Sequence, residues 1–313
     1  MLGIKYKKLD KIADMTYIVA SFYKYIGIDS PLKLRNEQFE LCKLLDLKGR
    51  ILIGGEGING SVYGTKTSVE KYKEALKSNN LFLDMEFKEQ IAEKQAFRKL
   101  HVRVRKEIVH SGLKVDLKNT ANFLSPRELK ELLDKNEELI LVDVRNDYES
   151  RIGKFKGAVT LNIKNFRDFP KAVKEIENLK DKKIVTYCTG GIRCEKASAF
   201  LKKNGFKNVY QIKGGILNYG KEFPDTYWLG SCFVFDDRLS IPINKNNTEL
   251  LAECEWCGNP CNEYTNCHNL ECDRLFISCE ECRYKHNASC SESCSKAPKR
   301  RKENHSRLQY ALS

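Results

Sequence analysis

The stretch KKIVTYCTGGIRCEKAS, residues 182–198, decides how the chain is read. Its first part, KKIVTYC, is a near-continuous apolar run of the kind buried on both faces of a parallel sheet. Its last part, from Cys194 to Lys203, has the character of a helix. Between them lies Cys188-Thr189-Gly190-Gly191-Ile192-Arg193, a strand-to-helix turn with two adjacent glycines. Such a turn curls its backbone N–H groups inward, adds the positive end of the following helix, and here brings the guanidinium of Arg193, which together make an anion cradle. A cysteine at the start of that cradle is expected to have a lowered pKa and to act as a nucleophile. A purely structural Cys188 leaves the Gly-Gly turn and Arg193 unexplained.

Working outward, ELILVDVR (138–145) and KNVYQIKGG (207–215) repeat the buried-strand signature, and Phe169–Leu179 reads as another helix. Ser125-Pro126 followed by Glu128 is a capped helix start. Residues 124–230 therefore read as a doubly wound α/β domain. Asp143 and Arg145 end a strand on the side where ligands bind in such sheets, so both are expected to support the loop, although Asp143 can cap it and Arg145 can pair with Asp147 or Glu149. Cys194 reads either as a resolving thiol for Cys188 or, preferably, as a helix residue packed on the sheet.

Upstream, TYIVASFYKY (16–25), an apolar-periodic stretch from Leu34 to Leu47, the glycine-rich GRILIGGEGINGSVYGT (49–65), a short helix from Ser68 to Lys77 and the alternating basic run KQAFRKLHVRVRKEIV (94–109) suggest strands and helices in alternation. This order predicts an α+β ferredoxin-like domain over residues 1–117. In the basic run Phe97, Leu100, Val102 and Val104 alternate with Arg98, Lys99, His101, Arg103 and Arg105, predicting one long strand.

The 13 cysteines are unevenly placed: nine fall between Cys254 and Cys294, while Cys42 and Cys232 sit in apolar-periodic stretches as expected core residues. The first residues, MLGIKYKKLDKIADM, lack the apolar stretch of a secretory signal, and nowhere do 18 apolar residues run together, so a cytoplasmic chain with no membrane partner and reduced thiols is expected. Cys254-x2-Cys257-Gly258 and Cys279-x2-Cys282 have the form of zinc knuckles that can share one structural zinc ion. Cys267-x4-Cys272 and Cys290-x3-Cys294 can make a second, with Cys261, His268 and His286 as spare donors and other partitions open. This predicts a zinc-binding module over 240–295 and a flexible basic tail over 296–313. The net charge of +13 favours an anionic partner such as nucleic acid; 45 basic against 32 acidic residues lie before Ser240 and ten of each after it. Arg98, Lys99, Arg103, Arg105 and the tail cations Lys299 to Lys302 are the candidate phosphate contacts. No nucleotide or flavin fingerprint follows a strand, GGEGING reads as a bend, and the five histidines form no facial iron site.

The loop, with Asp143-Val144-Arg145, Gly157-Ala158 and Gly214-Gly215, resembles the rhodanese family over the central domain. Six residues from Cys188 to Arg193 match the sulfur-transferring members rather than the phosphatases of related shape, whose loops are one residue longer. The resemblance implies a persulfide-bearing Cys188 and supporting roles for Asp143 and Arg145. Thr189 stands where thiosulfate-using members carry a basic residue, which argues against thiosulfate as substrate. More narrowly, GEGINGSVYG (55–64), FRKLHVRVRKEIV (97–109), VDVRNDYE (142–149), GKFKGAVTLNIKNFRDFP (153–170), YCTGGIRCEKAS (187–198) and CFVFDDR (232–238) resemble the rhodanese-domain tRNA uridine hydroxylases. That likeness implies oxygen-dependent 5-hydroxylation of the wobble uridine, with molecular oxygen as co-substrate, the anticodon region of tRNA as partner and an electron or sulfur donor besides. Two other readings stay open: a persulfide sulfurtransferase acting on a tRNA or protein acceptor, and a non-catalytic RNA-binding adaptor.

Overall fold

The computed structural model describes residues 16–246 and 249–301, so the start of the expected N-terminal domain and positions 302–313 of the expected tail lie outside the described residues. In the N-terminal unit, strand β1 (Tyr17–Tyr25) points Ile18, Ala20 and Phe22 into a core, leaving Val19, Ser21, Tyr23 and Tyr25 on the opposite face. Helix α1 (Pro31–Leu44) starts at its proline, earlier than the apolar period implies, and the chain turns at Asp46, with φ 51°, into β2 (Lys48–Gly54). Then come β3 (Gly57–Thr65), helix α2 (Lys66–Lys77), capped by the Thr65 hydroxyl accepting from Ser68 N, β4 (Phe87–Ile91) and β5 (Leu100–Val104).

The sheet order is β4-β1-β3-β2-β5. Its first four strands and two helices follow the β-α-β-β-α-β succession expected, and β5 adds to the edge in parallel with β2. The basic run is not one long strand. Only five residues pair; Phe97 leaves the sheet to pack with Val19, Tyr63, Ala92 and Ala96, and Val104 is 39% exposed. As an edge strand with one neighbour, β5 buries little, so alternation overstated its length. β4 is a strand the sequence reading lacked, because FKEQI is largely polar: Glu89 pairs with Lys73 and Lys88 faces the other way.

The central unit runs β6 (Asn122–Leu124), α3 (Pro126–Asp134, with the expected capping box), β7 (Ile140–Asp143), α4 (Asp147–Arg151), β8 (Gly153–Phe155), β9 (Val159–Thr160), α5 (Phe169–Ala172), β10 (Lys183–Tyr187), α6 (Ile192–Lys203), β11 (Asn208–Ile212) and α7 (Gly215–Glu222). Its sheet, β6-β11-β10-β7-β9, is parallel throughout. One core packs α5 and α6 on one face, and another packs α3 and α7 on the other. The helix expected over Phe169–Leu179 tightens to 3-10 turns after Ala172, and Ile176 departs from helical geometry.

β12 (Trp228–Phe233) joins β8 and β13 (Ser240–Pro242) in a small sheet. Ile241 is buried in the central core, so the segment expected to open the cysteine-rich module belongs structurally to its neighbour. The module itself has one hairpin, β14 (Tyr264–Asn266) with β15 (Leu275–Ile277), and two short helices, α8 (Glu280–Lys285) and α9 (Glu292–Ser295). It packs on Ile152 and Phe233. Residues 296–301 are tied to it: Leu270 N donates to Lys299 O, Arg300 to Asn287 O, and Arg301 pairs with Asp273. The expected tail is therefore bound at its start, and Lys302 lies outside the described residues. Among the described residues no helix is long and apolar enough to cross a membrane.

Candidate active site

The Cys188 loop sits at the carboxyl end of β10, beside the end of β7, where parallel α/β sheets bind ligands. Gly191 adopts φ +99°, and a Cβ there would lie 3.0 Å from the Tyr23 hydroxyl; Gly215 adopts φ +65°, and a Cβ would come within 2.3 Å of Cys188 O. These two glycines let the loop close on α7 and on the N-terminal sheet. Ile216 N and Leu217 N donate to Cys188 O and Thr189 O, at 3.0 and 3.1 Å, locking the loop to α7.

The Cys188 sulfur accepts from Gly191 N at 3.1 Å at the positive end of α6. Burial by itself would raise the thiol, but the Cys194 S–H donating to it, the positive charge of Arg193 and the N–H groups of Arg193 and Gly191 outweigh burial and lower it to about 5. Cys194, buried and donating, is pushed well up. Cys194 is buried in the core on the sheet, and its sulfur also touches that of Cys188.

Arg193 is placed differently from the expectation. Its guanidinium does not open toward a ligand; it forms a fork with Glu149, including NH2 to Oε2 at 2.8 Å, with both side chains buried. Thr189 Oγ1 closes this cluster, accepting from Arg193 at 3.3 Å. The sequence reading missed Glu149 as a site residue; the signal available was the carboxylate six residues after Asp143 in VDVRNDYE. Arg145 pairs with Asp143, not with Asp147 or Glu149, at 2.6 Å, donates to Gly153 O at 2.6 Å and lies over the rings of Trp228 and Tyr187. This fully buried pair braces the ends of β7 and β8 behind the loop. Gly190 borders Lys88 of the N-terminal unit.

Four contacts seat the N-terminal sheet over the loop. The Tyr23 hydroxyl donates to Glu195 at 3.2 Å, the Tyr25 hydroxyl to Ile192 O at 3.4 Å, and Lys196 binds both Glu56 and Glu107 at about their closest, 3.0 and 2.9 Å. Glu56 also accepts from Ile108 N at 2.8 Å, so GGEGING is a hairpin bend, as expected, that also carries a carboxylate binding the two units together. Cys42 and Cys232 are core residues, as expected.

Residues 17–108 match the UPF0176 acylphosphatase-like domain, residues 125–222 the rhodanese-like domain and residues 229–295 the region described as rhodanase C-terminal. A tRNA uridine(34) hydroxylase of Enterococcus faecalis is 46% identical over 294 residues, covering 92% of each chain. One of Cytophaga hutchinsonii is 45% identical over 287 residues, covering 91% of this chain and 92% of its own. One of Staphylococcus saprophyticus is 45% identical over 289 residues, covering 90% and 91%. The chain belongs to the tRNA uridine(34) hydroxylase family.

In this family member the cysteine-rich region forms two sulfur clusters that can hold a metal ion: Cys254, Cys257, Cys279 and Cys282 in one, and Cys267, Cys272, Cys290 and Cys294 in the other, with the sulfurs of each within 4.8 Å of one another. Three sulfur pairs lie at 3.7–3.9 Å. Four thiolates at about 2.3 Å from a tetrahedral ion stand about 3.8 Å apart, so the donor set fits such an ion and is too open for disulfides. All 13 cysteines are free. Cys261 belongs to neither cluster, its sulfur accepting from Glu263 N at 3.4 Å, and His286 stacks flat on Trp256. Of the candidate phosphate contacts, Arg103 and Arg105 are exposed on or beside the edge strand and Lys99 is exposed just before it, whereas Arg98 is engaged with Asp237 at 3.1 Å.

Proposed function

We propose that this chain installs a 5-hydroxyl on uridine 34 of tRNA, with molecular oxygen as co-substrate and Cys188 as the residue on which the reaction depends. The observation that carries the reading is the Cys188 sulfur itself: a buried thiol held in its anionic form by a neighbouring S–H, two N–H groups and a helix N-terminus, at the ligand end of a parallel sheet. In this reading Cys188 is the nucleophilic sulfur. Cys194 keeps it ionised, Gly190 and Gly191 shape the cradle, and the Glu149–Arg193 and Asp143–Arg145 pairs hold the loop rigid. Lys99, Arg103 and Arg105 contact tRNA phosphates, and Arg98 assists at the domain boundary. The two sulfur clusters would hold structural zinc ions, which would supply the crosslinks that a three-residue hairpin and two short helices cannot.

A second reading, transfer of sulfur from a Cys188 persulfide, is supported by the six-residue loop. Nucleoside analysis of bulk tRNA from cells lacking the gene separates the two. Loss of 5-hydroxyuridine derivatives is the expected result; loss of a thiolated base instead would establish sulfur transfer, and no change in either would leave an RNA-binding adaptor.

A further inference from the structure

On the face of the N-terminal sheet turned away from its helices, strand register lines up five residues in one crosswise row: Lys88 of β4 opposite Ser21 of β1, Ser21 opposite Ser61 of β3, Ser61 opposite Arg50 of β2, and Arg50 opposite His101 of β5. Five strands at the usual spacing make this row about 19 Å long. Its inner end is at the reaction centre, since Lys88 is packed against Gly190 of the Cys188 loop. Toward its outer end Arg50 is exposed to solvent and His101 half-buried beside it.

The row is open between two closed ones. On one side Val19 and Tyr63 are covered by Ala92, Ala96 and Phe97; on the other Tyr23 and Tyr25 are covered by α6. Its polar groups are unspent. Lys88 is only 8% exposed, yet its ammonium has no hydrogen bond or ion pair among the described residues and rests over the Tyr23 ring at 5.0 Å. Burial disfavours its charge and the nearby Glu86, Cys188 and Glu195 favour it, yet none of these takes a hydrogen bond from it. Neither Arg50 nor His101 has a carboxylate partner among the described residues. Ser21 and Ser61 share one hydrogen bond at 2.7 Å, which leaves one hydroxyl proton for an outside acceptor.

We propose that this row is the track along which a single-stranded segment of the anticodon loop reaches Cys188, with Arg50 and the serines holding its backbone and Lys88 receiving the innermost nucleotide's anionic group. The inference rests on the reading of the chain as a tRNA uridine hydroxylase. A strip one residue wide, with cations at Lys88 and Arg50 and two hydroxyls between them, fits one polyanionic strand and not the paired strands of a duplex.

The test uses the full-length, metal-replete protein and an anticodon stem-loop RNA carrying U34. Arg50→Ala should weaken binding about tenfold and Arg50→Glu further, with the slope of log affinity against log salt shallower by about 0.7 for the lost phosphate contact. Lys182→Glu, just before β10 and so at the end opposite the loop, should bind within about twofold of wild type. Lys88→Met should lower U34 hydroxylation at saturating RNA at least about a hundredfold with a smaller change in affinity, and Lys88→Arg should restore part of it. Wild-type affinity and salt slope in Arg50→Glu, while the wild-type enzyme hydroxylates U34, would overturn the track. So would equal loss of binding to polyglutamate, which would mark a general anion surface or a site for an acidic protein segment. If the wild-type chain modifies no uridine yet Arg50→Glu loses RNA binding, the catalytic reading fails and the track stands.

Discussion

Cys188 and the clustered cysteines of the C-terminal region use the same atom in opposite ways. Around Cys188 the sulfur is alone among donors: one neighbouring S–H, backbone N–H groups and a helix N-terminus, with Arg193 near but turned to Glu149. In the C-terminal clusters each sulfur stands among three others, with pairs at 3.7–3.9 Å, the spacing that four thiolates around one shared cation would take. The difference lies in what neutralises the thiolate. Hydrogen bonds leave a lone pair available for chemistry, whereas a four-sulfur metal shell uses every ligand and closes the site. The first arrangement needs a rigid fold around it; the second, with an ion bound, would supply rigidity to a region with little regular structure.

The comparison is broken most directly at Cys188. Cys188→Ser keeps the shape and hydrogen bonds of the loop but replaces an ionised sulfur with a neutral hydroxyl, and U34 hydroxylation should fall by at least about a thousandfold while tRNA affinity and melting temperature stay near wild type. Near-normal hydroxylation in complemented deletion cells would leave the loop as scaffold.

Removing metal should act only on the other region. Purified protein should carry two zinc ions per chain, and chelation should expose residues 250–301 to protease while the central domain stays protected, because metal binding and local folding are coupled. A metal-free protein with unchanged protection would show that the sulfurs need no ion.

Arg193→Ala should be a folding variant before it is a catalytic one. It leaves the Glu149 carboxylate buried without its partner, at a cost of about 3–5 kcal/mol, readable as a lowered denaturation midpoint. The double substitution Arg193→Met with Glu149→Leu should recover most of that stability. If the single variant melts like wild type, the pair is not the brace described.

The smallest effect concerns pH. A lowered Cys188 pKa means that the thiolate is populated above about 5 and is lost as pH falls through it, so the acid limb of kcat/KM should lie near that value. Cys194→Ala removes the S–H donor and should move the limb up by about one unit, whereas Cys194→Ser, which keeps an O–H donor, should move it less. An unshifted limb in Cys194→Ala would return Cys194 to a packing role alone.

Local chemistry made much of this molecule legible in the sequence. Uninterrupted apolar runs mark strands buried on both faces, a Gly-Gly turn between strand and helix marks a loop that aims backbone N–H at the Cys188 sulfur, and paired cysteines three to five residues apart mark the two sulfur clusters that the fold brings together. Those signals survive because each is set by neighbours in the chain. What only the tertiary structure decided are relations between distant residues: that Arg193 spends its charge on Glu149, that Lys196 gathers Glu56 and Glu107 across two units, that the basic run around Arg103 is an edge strand of five residues, and that Lys88, on a strand too polar to be noticed, reaches the Cys188 loop. Each depends on strand register and domain docking, which set which charges are desolvated together, and desolvation, not residue type, decides what a charge does in the fold.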